Sequence, residues 1–91
     1  MSTPERWRVE LTRPAARDIR RLDRSVRERV LTGLDGLAGD PPAGDIKRMS
    51  GITPPQWRLR VGDWRVRFSR DPERRTILVL RVLPRGRAYR E

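Results

Sequence analysis

Four arginines occupy alternate positions in two short segments of the second half of the chain. Residues 57–68 read Trp-Arg-Leu-Arg-Val-Gly-Asp-Trp-Arg-Val-Arg-Phe, in which apolar side chains alternate with Arg58, Arg60, Arg65 and Arg67. Guanidinium groups bind phosphate or carboxylate oxygens through paired hydrogen bonds. Because opposed like charges on neighbouring strands cost stability, the pattern predicts a surface that binds an anion. The alternative is that these are solvated charges that protect a sheet edge from aggregation.

The same alternation predicts the element that carries these arginines, a hairpin of two antiparallel strands. Gly62-Asp63 is a two-residue connection with glycine first, which suits a type II′ turn. Side chains alternate across a sheet, so the arginines share one face. The opposite face then forms core with six apolar side chains, those of Trp57, Leu59, Val61, Trp64, Val66 and Phe68.

Composition limits the possible functions. The chain has 91 residues, which we interpret as a single domain over residues 1–91, and 22 basic against 12 acidic residues give a net charge of +10. Such a charge favours nucleic acid or an acidic protein as partner. Histidine and cysteine are absent, which excludes catalytic triads with histidine, thiolate chemistry and disulfides. With no signal-peptide pattern and no apolar run of membrane-spanning length, we expect a soluble, cytoplasmic protein.

The first half of the chain predicts a strand and two helices. Residues 7–11 alternate as a strand with Trp7, Val9 and Leu11 inward. Thr12 is expected to cap a first helix, whose apolar stripe consists of Ala15, Ile19 and Leu22. The second helix is expected to begin at Asp23 or in the capping-box pattern of residues 25–28, with a stripe of Val26, Val30, Leu34 and Leu37.

The remaining segments complete the predicted fold. Residues 41–55 are rich in proline and glycine and are expected to form a long loop, while the apolar run 76–83 predicts a strand at the centre of the sheet. The order of elements predicts an α+β fold, in which an N-terminal strand and a two-helix hairpin pack on one face of a small, mainly antiparallel sheet.

Taken together, these segments resemble the RelE/ParE superfamily of bacterial toxin–antitoxin toxins, and its RelE branch in particular. The resemblance extends from Trp7 to Arg90. It depends on residues 47–51 (Lys-Arg-Met-Ser-Gly), on the hairpin 57–66, on residues 79–82, and on Arg85 followed by Tyr89. The pairing of the hairpin with the C-terminal Arg-x-x-x-Tyr is its most specific part.

The resemblance implies an RNA-cutting enzyme that cleaves mRNA in the ribosomal A site without metal or cofactor. The substrate's own 2′-hydroxyl attacks the adjacent phosphate, so the enzyme stabilises charge and moves protons. The catalytic residues would be Arg60, Arg65, Arg85 and Tyr89. RNA-binding residues would be Lys47, Arg48, Arg58 and Arg87. The implied partners are the ribosome, mRNA and a RelB- or Phd-like antitoxin that wraps the toxin in a hetero-oligomer.

Two features depart from the family pattern. Relatives tend to carry lysine where Arg58 and Arg60 stand, and arginine essentially cannot lose its proton to act as a base. Pro84 also replaces a frequent histidine. Activation of the 2′-hydroxyl by crowded guanidiniums, or by Tyr89, is the better hypothesis. The alternatives are a ParE-like inhibitor of DNA gyrase without nuclease activity, a nucleic-acid-binding module without catalysis, and a structural Arg65 that pairs with Asp63 or Glu73.

Overall fold

Two helices and five strands make up the computed structural model, which describes residues 6–86. The strands are β1 (Arg8–Leu11), β2 (Asp45–Arg48), β3 (Trp57–Val61), β4 (Trp64–Asp71) and β5 (Thr76–Pro84). The helices are α1 (Arg13–Arg20) and α2 (Arg24–Leu37). The predicted α+β class, the first strand, the helix pair and the central hairpin are confirmed. None of the helices in the described range is long and apolar enough to cross a membrane.

All five strands belong to one sheet, in the order β1-β5-β4-β3-β2. Strand β1 runs parallel to β5, and the other neighbours are antiparallel. The prediction that residues 76–83 form the central strand was wrong, since β4 holds the centre. The physical reason is an additional strand, β2, beyond β3, which moves the middle of the sheet from between β5 and β4 onto β4.

Strand β2 lies inside the segment that was predicted to be a loop. It pairs with β3 in the register Asp45 with Arg60 and Arg48 with Trp57. Its sequence, Asp-Ile-Lys-Arg, has one apolar residue, which is too few to produce an alternating pattern. A charged, short strand is typical of a sheet edge, where it discourages pairing with another chain.

The hairpin turn has the geometry that its sequence indicates. Gly62 has φ +58°, and among the non-glycine residues that the structure describes only Arg75 has a positive φ. A positive φ at the first central residue alone is the mark of a type II′ turn. A side chain at position 62 would also meet the guanidinium of Arg29, since a Cβ there would lie 2.5 Å from its Nη2.

Side-chain caps start both helices. The hydroxyl of Thr12 accepts a hydrogen bond from the Ala15 N–H, at 3.1 Å. A carboxylate oxygen of Asp23 accepts one from the Val26 N–H, at 2.9 Å. Of the two predicted starts for α2, the structure therefore selects Asp23. The capping box of residues 25–28 is not used, because Ser25 already lies within the helix and donates its hydroxyl to Asp23.

The helices cover one face of the sheet, here called the helix face. Their predicted apolar stripes pack against Leu59, Val66, Phe68, Ile77, Val79 and Val82, and all of the stripe residues are buried except Val26, which is half-buried. Trp57 and Trp64 pack against this core, as predicted. The inward position of Leu11 was wrong, since this residue is 41% exposed at the end of β1. Burial of these apolar side chains is the main stabilising contribution.

One carboxylate ties helix α1 to strand β5 beyond the end of β1. Asp18 accepts hydrogen bonds from Arg81 Nε at 2.8 Å, Arg81 Nη2 at 3.2 Å and the Val82 N–H at 2.9 Å. Partial burial raises the pKa of this carboxyl, but the bonds from Arg81 and Val82 and the charges of Arg81 and Arg21 outweigh it. The net pKa lies below the ordinary 3.8. The same contact raises the pKa of Arg81.

Stability that depends on this contact should be lost in acid. Because the folded-state pKa of Asp18 is below its unfolded value, its contribution is fully present above about pH 4 and disappears as pH falls through the folded pKa. We expect Asp18→Asn to lower the free energy of unfolding by about 1 kcal/mol at neutral pH, and the difference from wild type to vanish at the acid end. Urea unfolding between pH 2.5 and 7 measures this. Glu10→Gln, at an exposed position, is the control, and a difference constant across pH would contradict the assignment.

Candidate nucleic-acid interface

The sheet face opposite the helices, here called the outer face, carries two rows of side chains that cross the strands. The turn row lies nearer the hairpin turn and consists of Asp45, Arg60, Arg65 and Leu83. The middle row lies two residues further along the strands and consists of Lys47, Arg58, Arg67 and Arg81. Directly opposed side chains have Cβ atoms about 5 Å apart, so each row is a continuous line of neighbours.

Arg65 is the most buried charged residue of the outer face, with 8% of its surface exposed. Its Nη1 donates hydrogen bonds to the backbone oxygens of Gly62, at 2.9 Å, and Trp64, at 3.1 Å. It forms no ion pair within residues 6–86, so the alternative of pairing with Asp63 or Glu73 is not observed. The turn thus holds a positive charge in a fixed position without neutralising it.

The two arginines of β3, Arg58 and Arg60, share one exposed carboxylate as their ion-pair partner. Asp45 lies 3.4 Å from Arg58 Nη1 and 4.0 Å from Arg60 Nη1. Ion pairs of this length at an exposed carboxylate contribute little. Positive charge therefore remains in excess on β3, where it is available to an anionic ligand.

Arg85 follows β5 directly and lies beside the hairpin turn. Its backbone N–H donates to the Asp63 oxygen at 2.7 Å, and its side chain is exposed. Strand alternation from Leu83 places Arg85 on the outer face one row beyond the turn row, on the side away from the middle row. The fold therefore brings three of the four predicted catalytic residues, Arg60, Arg65 and Arg85, to one end of the outer face. The fourth, Tyr89, lies outside the described residues.

The predicted RNA-binding residues separate into two groups. Lys47 and Arg58 are neighbours in the middle row. Arg48 pairs with Trp57, and its guanidinium carbon lies 6.0 Å from the centre of that indole ring. Because Trp57 belongs to the helix face, Arg48 is turned away from the arginine cluster. Arg87 lies outside the described residues.

Three residues of the outer face were not assigned a catalytic or RNA-binding role from the sequence. Arg67 and Arg81 extend the middle row, and Gln56 accepts a hydrogen bond from Arg67 Nη2 at 2.7 Å. The available signal for Arg67 was its place in the alternation, and for Arg81 it was a lone charge within an apolar strand. The register shift between Arg67 and Phe68, which aligns Arg81 with Arg67, has no signature in the sequence.

The chemistry of this face is that of a fixed array of hydrogen-bond donors. Guanidinium and ammonium groups stabilise negative charge on phosphate oxygens. Arginine does not release a proton at physiological pH, so the described array has no strong proton acceptor except the exposed Asp45. The face is suited to bind a phosphodiester and to stabilise additional charge on it.

Comparison with solved structures gives RelE toxins in complex with RelB antitoxins. The Pyrococcus horikoshii RelE–RelB complex matches with a TM-score of 0.76 and 27% identity over 89% of this chain and 97% of that chain. The RelBE2 complex of Mycobacterium tuberculosis matches with a TM-score of 0.71 and 23% identity, covering 94% and 99% of the two chains. The Methanococcus jannaschii RelB–RelE complex has a TM-score of 0.71 and 22% identity, with 88% and 94% covered. Among curated proteins, none shows significant sequence similarity.

These similarities define the class as a toxin of the RelE/ParE superfamily with a RelE-like fold. The sequence model of the ParE toxin family, described as the ParE toxin of the type II toxin–antitoxin system parDE, matches residues 9–89. The chain belongs to this family and is a toxin of a type II toxin–antitoxin system.

Proposed function

We propose that this toxin is a metal-independent endoribonuclease that cleaves mRNA in the ribosomal A site and so stops translation in the cytoplasm. The observation that carries the proposal is Arg65, a nearly buried guanidinium that two backbone oxygens hold in place and that no carboxylate within residues 6–86 neutralises. A fixed donor of this kind can stabilise the charge that develops on phosphate during attack by the 2′-hydroxyl. Arg60 and Arg85 at the same end of the face add further positive charge.

The proton transfers need groups outside the described cluster. Attack by the 2′-hydroxyl releases a proton, and the leaving 5′-oxygen must gain one. We assign one transfer to Tyr89 and the positioning of the reacting groups to the ribosome, since alignment alone can supply a large part of a rate enhancement. Arg85, close to the reacting phosphate, would stabilise the leaving oxygen.

The antitoxin is proposed to be a RelB-like protein, because the structural neighbours are RelE–RelB complexes. The net charge of +10 favours an acidic or amphipathic segment that covers the outer face. Binding there would block RNA and stabilise a small domain at the same time.

A ParE-like action on DNA gyrase is the second candidate, and the family match to ParE toxins favours it. Such a toxin acts by protein contact and does not require a phosphate-stabilising cluster. The two candidates therefore differ in their dependence on Arg60, Arg65 and Arg85 at the turn end of the outer face.

Expression of the toxin in a test bacterium, with mRNA 5′ ends mapped by primer extension, separates the two candidates. We expect the wild type to generate new ends inside translated frames, and a translation inhibitor to suppress them. Arg85→Ala and Tyr89→Ala should abolish these ends and relieve growth arrest.

The matched control for this experiment is Arg74→Ala, which removes an exposed arginine from the β4–β5 turn. It should cleave as wild type does. Growth arrest without new ends, unaffected by Arg85→Ala, would reject the nuclease and direct attention to a gyrase supercoiling assay.

A further inference from the structure

The middle row contains a second pair of arginines that the proposed chemistry does not use as a pair. Arg58 of β3 and Arg67 of β4 are directly opposed. Both are largely buried, with 14% of the Arg58 side chain exposed. Two opposed like charges with little access to water destabilise a free protein. A ligand anion between them would remove this repulsion.

Hydrogen bonding within the protein leaves this pair incomplete. The Nε–H groups of Arg58 and Arg67 are both buried without an acceptor. A buried donor without a partner destabilises the free protein, so an acceptor supplied by a ligand at this pair would be favourable. Arg81, the next residue of the row, differs because the Asp18 carboxylate contacts it at 2.8 Å. The only carboxylate near the pair among the described residues is Asp45, which is exposed and lies 3.4 Å from Arg58.

Gln56 fixes the position of Arg67. Its Oε1 accepts from Arg67 Nη2 at 2.7 Å, and this neutral amide is the only side-chain hydrogen-bond partner of Arg67 within residues 6–86. The contact orients the guanidinium but leaves its charge intact. Arg67 is therefore held in the same manner as Arg65, by neutral acceptors.

The pair lies at a defined distance from the turn row. Two residues along a strand correspond to about 7 Å, a step that neighbouring phosphodiesters of one extended strand can span. We propose that Arg58 and Arg67 form a second phosphate-binding site, which holds the phosphodiester next to the one that Arg60 and Arg65 bind. This inference deepens the proposed function, on which it rests, by making the substrate a single strand with two adjacent bound phosphates.

Binding of short oligonucleotides tests the site without cleavage. The probes are a 2′-O-methyl dinucleotide with one phosphodiester and the matching trinucleotide with two, neither of which has a 2′-hydroxyl that can attack. We expect the second phosphate to increase affinity about tenfold in the wild type and less than twofold in Arg67→Gln. The slope of log affinity against log salt for the trinucleotide should fall in magnitude by about 0.7 in the variant, the value for one phosphate of a single strand.

Three controls complete the measurement. Arg74→Gln should keep the full affinity gain of the trinucleotide over the dinucleotide. Arg67→Lys should restore part of the slope of log affinity against log salt. The melting temperature of each variant reports whether it folds. A deoxyribose trinucleotide should show the same gain, because the site contacts phosphate rather than the sugar hydroxyl. A full gain in folded Arg67→Gln, or no binding of either oligonucleotide at low salt, would overturn the proposal.

Failure of this site is distinguishable from failure of the nuclease. If the wild type cleaves mRNA but Arg67→Gln keeps the affinity gain of the trinucleotide, the nuclease proposal is retained and the second phosphate site is rejected. If Arg67→Gln loses the gain but no cleavage occurs with the wild type, the site binds phosphate in a protein that is not a nuclease.

Discussion

Cleavage of mRNA on programmed ribosomes is expected to be about 10²–10³ times slower for Arg65→Gln than for the wild type. Glutamine can still donate to one of the two carbonyls that Arg65 contacts, but it carries no charge to place against the phosphate. The loss should appear in the single-turnover rate constant at saturating ribosome concentration, because the contact strengthens as charge develops in the transition state.

Two comparisons decide whether the lower cleavage rate arises from the loss of the Arg65 charge or from misfolding. Arg65→Lys retains the charge in a different geometry and should fall between the wild type and Arg65→Gln, while Arg74→Gln should cleave at the wild-type rate. The circular dichroism spectrum and the melting temperature of each variant show whether the hairpin is intact. A folded Arg65→Gln with normal cleavage would remove Arg65 from the mechanism.

Phe68→Ala is expected to lower the free energy of unfolding by about 3–5 kcal/mol. Phe68 is fully buried at the centre of the sheet and stacks on Trp57, with ring centroids 6.3 Å apart. Total stabilities of about 5–15 kcal/mol are usual, and a domain of this size lies toward the lower end. The free variant should therefore unfold at much lower urea concentration than the wild type.

Bound antitoxin should compensate for much of this loss. A partner present at 1,000 times its dissociation constant adds about 4 kcal/mol to the folded state. Urea unfolding of the free and complexed toxin measures both effects. Leu31→Ala is the matched control, since Leu31 is 46% exposed on α2 and its truncation should change stability by less than about 0.5 kcal/mol. Equal unfolding midpoints for free and complexed wild-type toxin would contradict the stabilising role of the partner.

Local patterns in the sequence predicted most of the fold because local physics determines those parts. The alternation in residues 57–68 defined the hairpin, and the position of Gly62 defined its turn. The period of apolar residues defined both helices, down to the cap at Thr12. Each of these signals lies within about ten residues and needs no knowledge of the tertiary structure.

The errors concern features that depend on distant parts of the chain. Strand β2 exists because the edge of β3 offers it hydrogen bonds, and its own four residues contain little strand signal. The exposure of Leu11 reflects where the sheet ends. The sequence predicted that the arginines of the hairpin share one face of the sheet. It did not predict which residues of β5 lie beside them, because the register of β4 with β5 depends on the irregularity near Phe68. The selection of Arg60, Arg65 and Arg85 came from family resemblance, and their roles remain predictions.

The parallel pairing of β1 with β5 has a consequence for the order in which the toxin folds. Arg8 pairs with Thr76, so β1 can pair with β5 only after the residues up to β5 have been synthesised. Pairings between such distant segments form late and slowly. During translation, the helices and the hairpin can form early, whereas β1 lacks its place in the sheet until β5 emerges. The parallel pairing therefore makes closure of the sheet depend on β5, and until β5 has formed the partly folded toxin lacks the β1–β5 ladder.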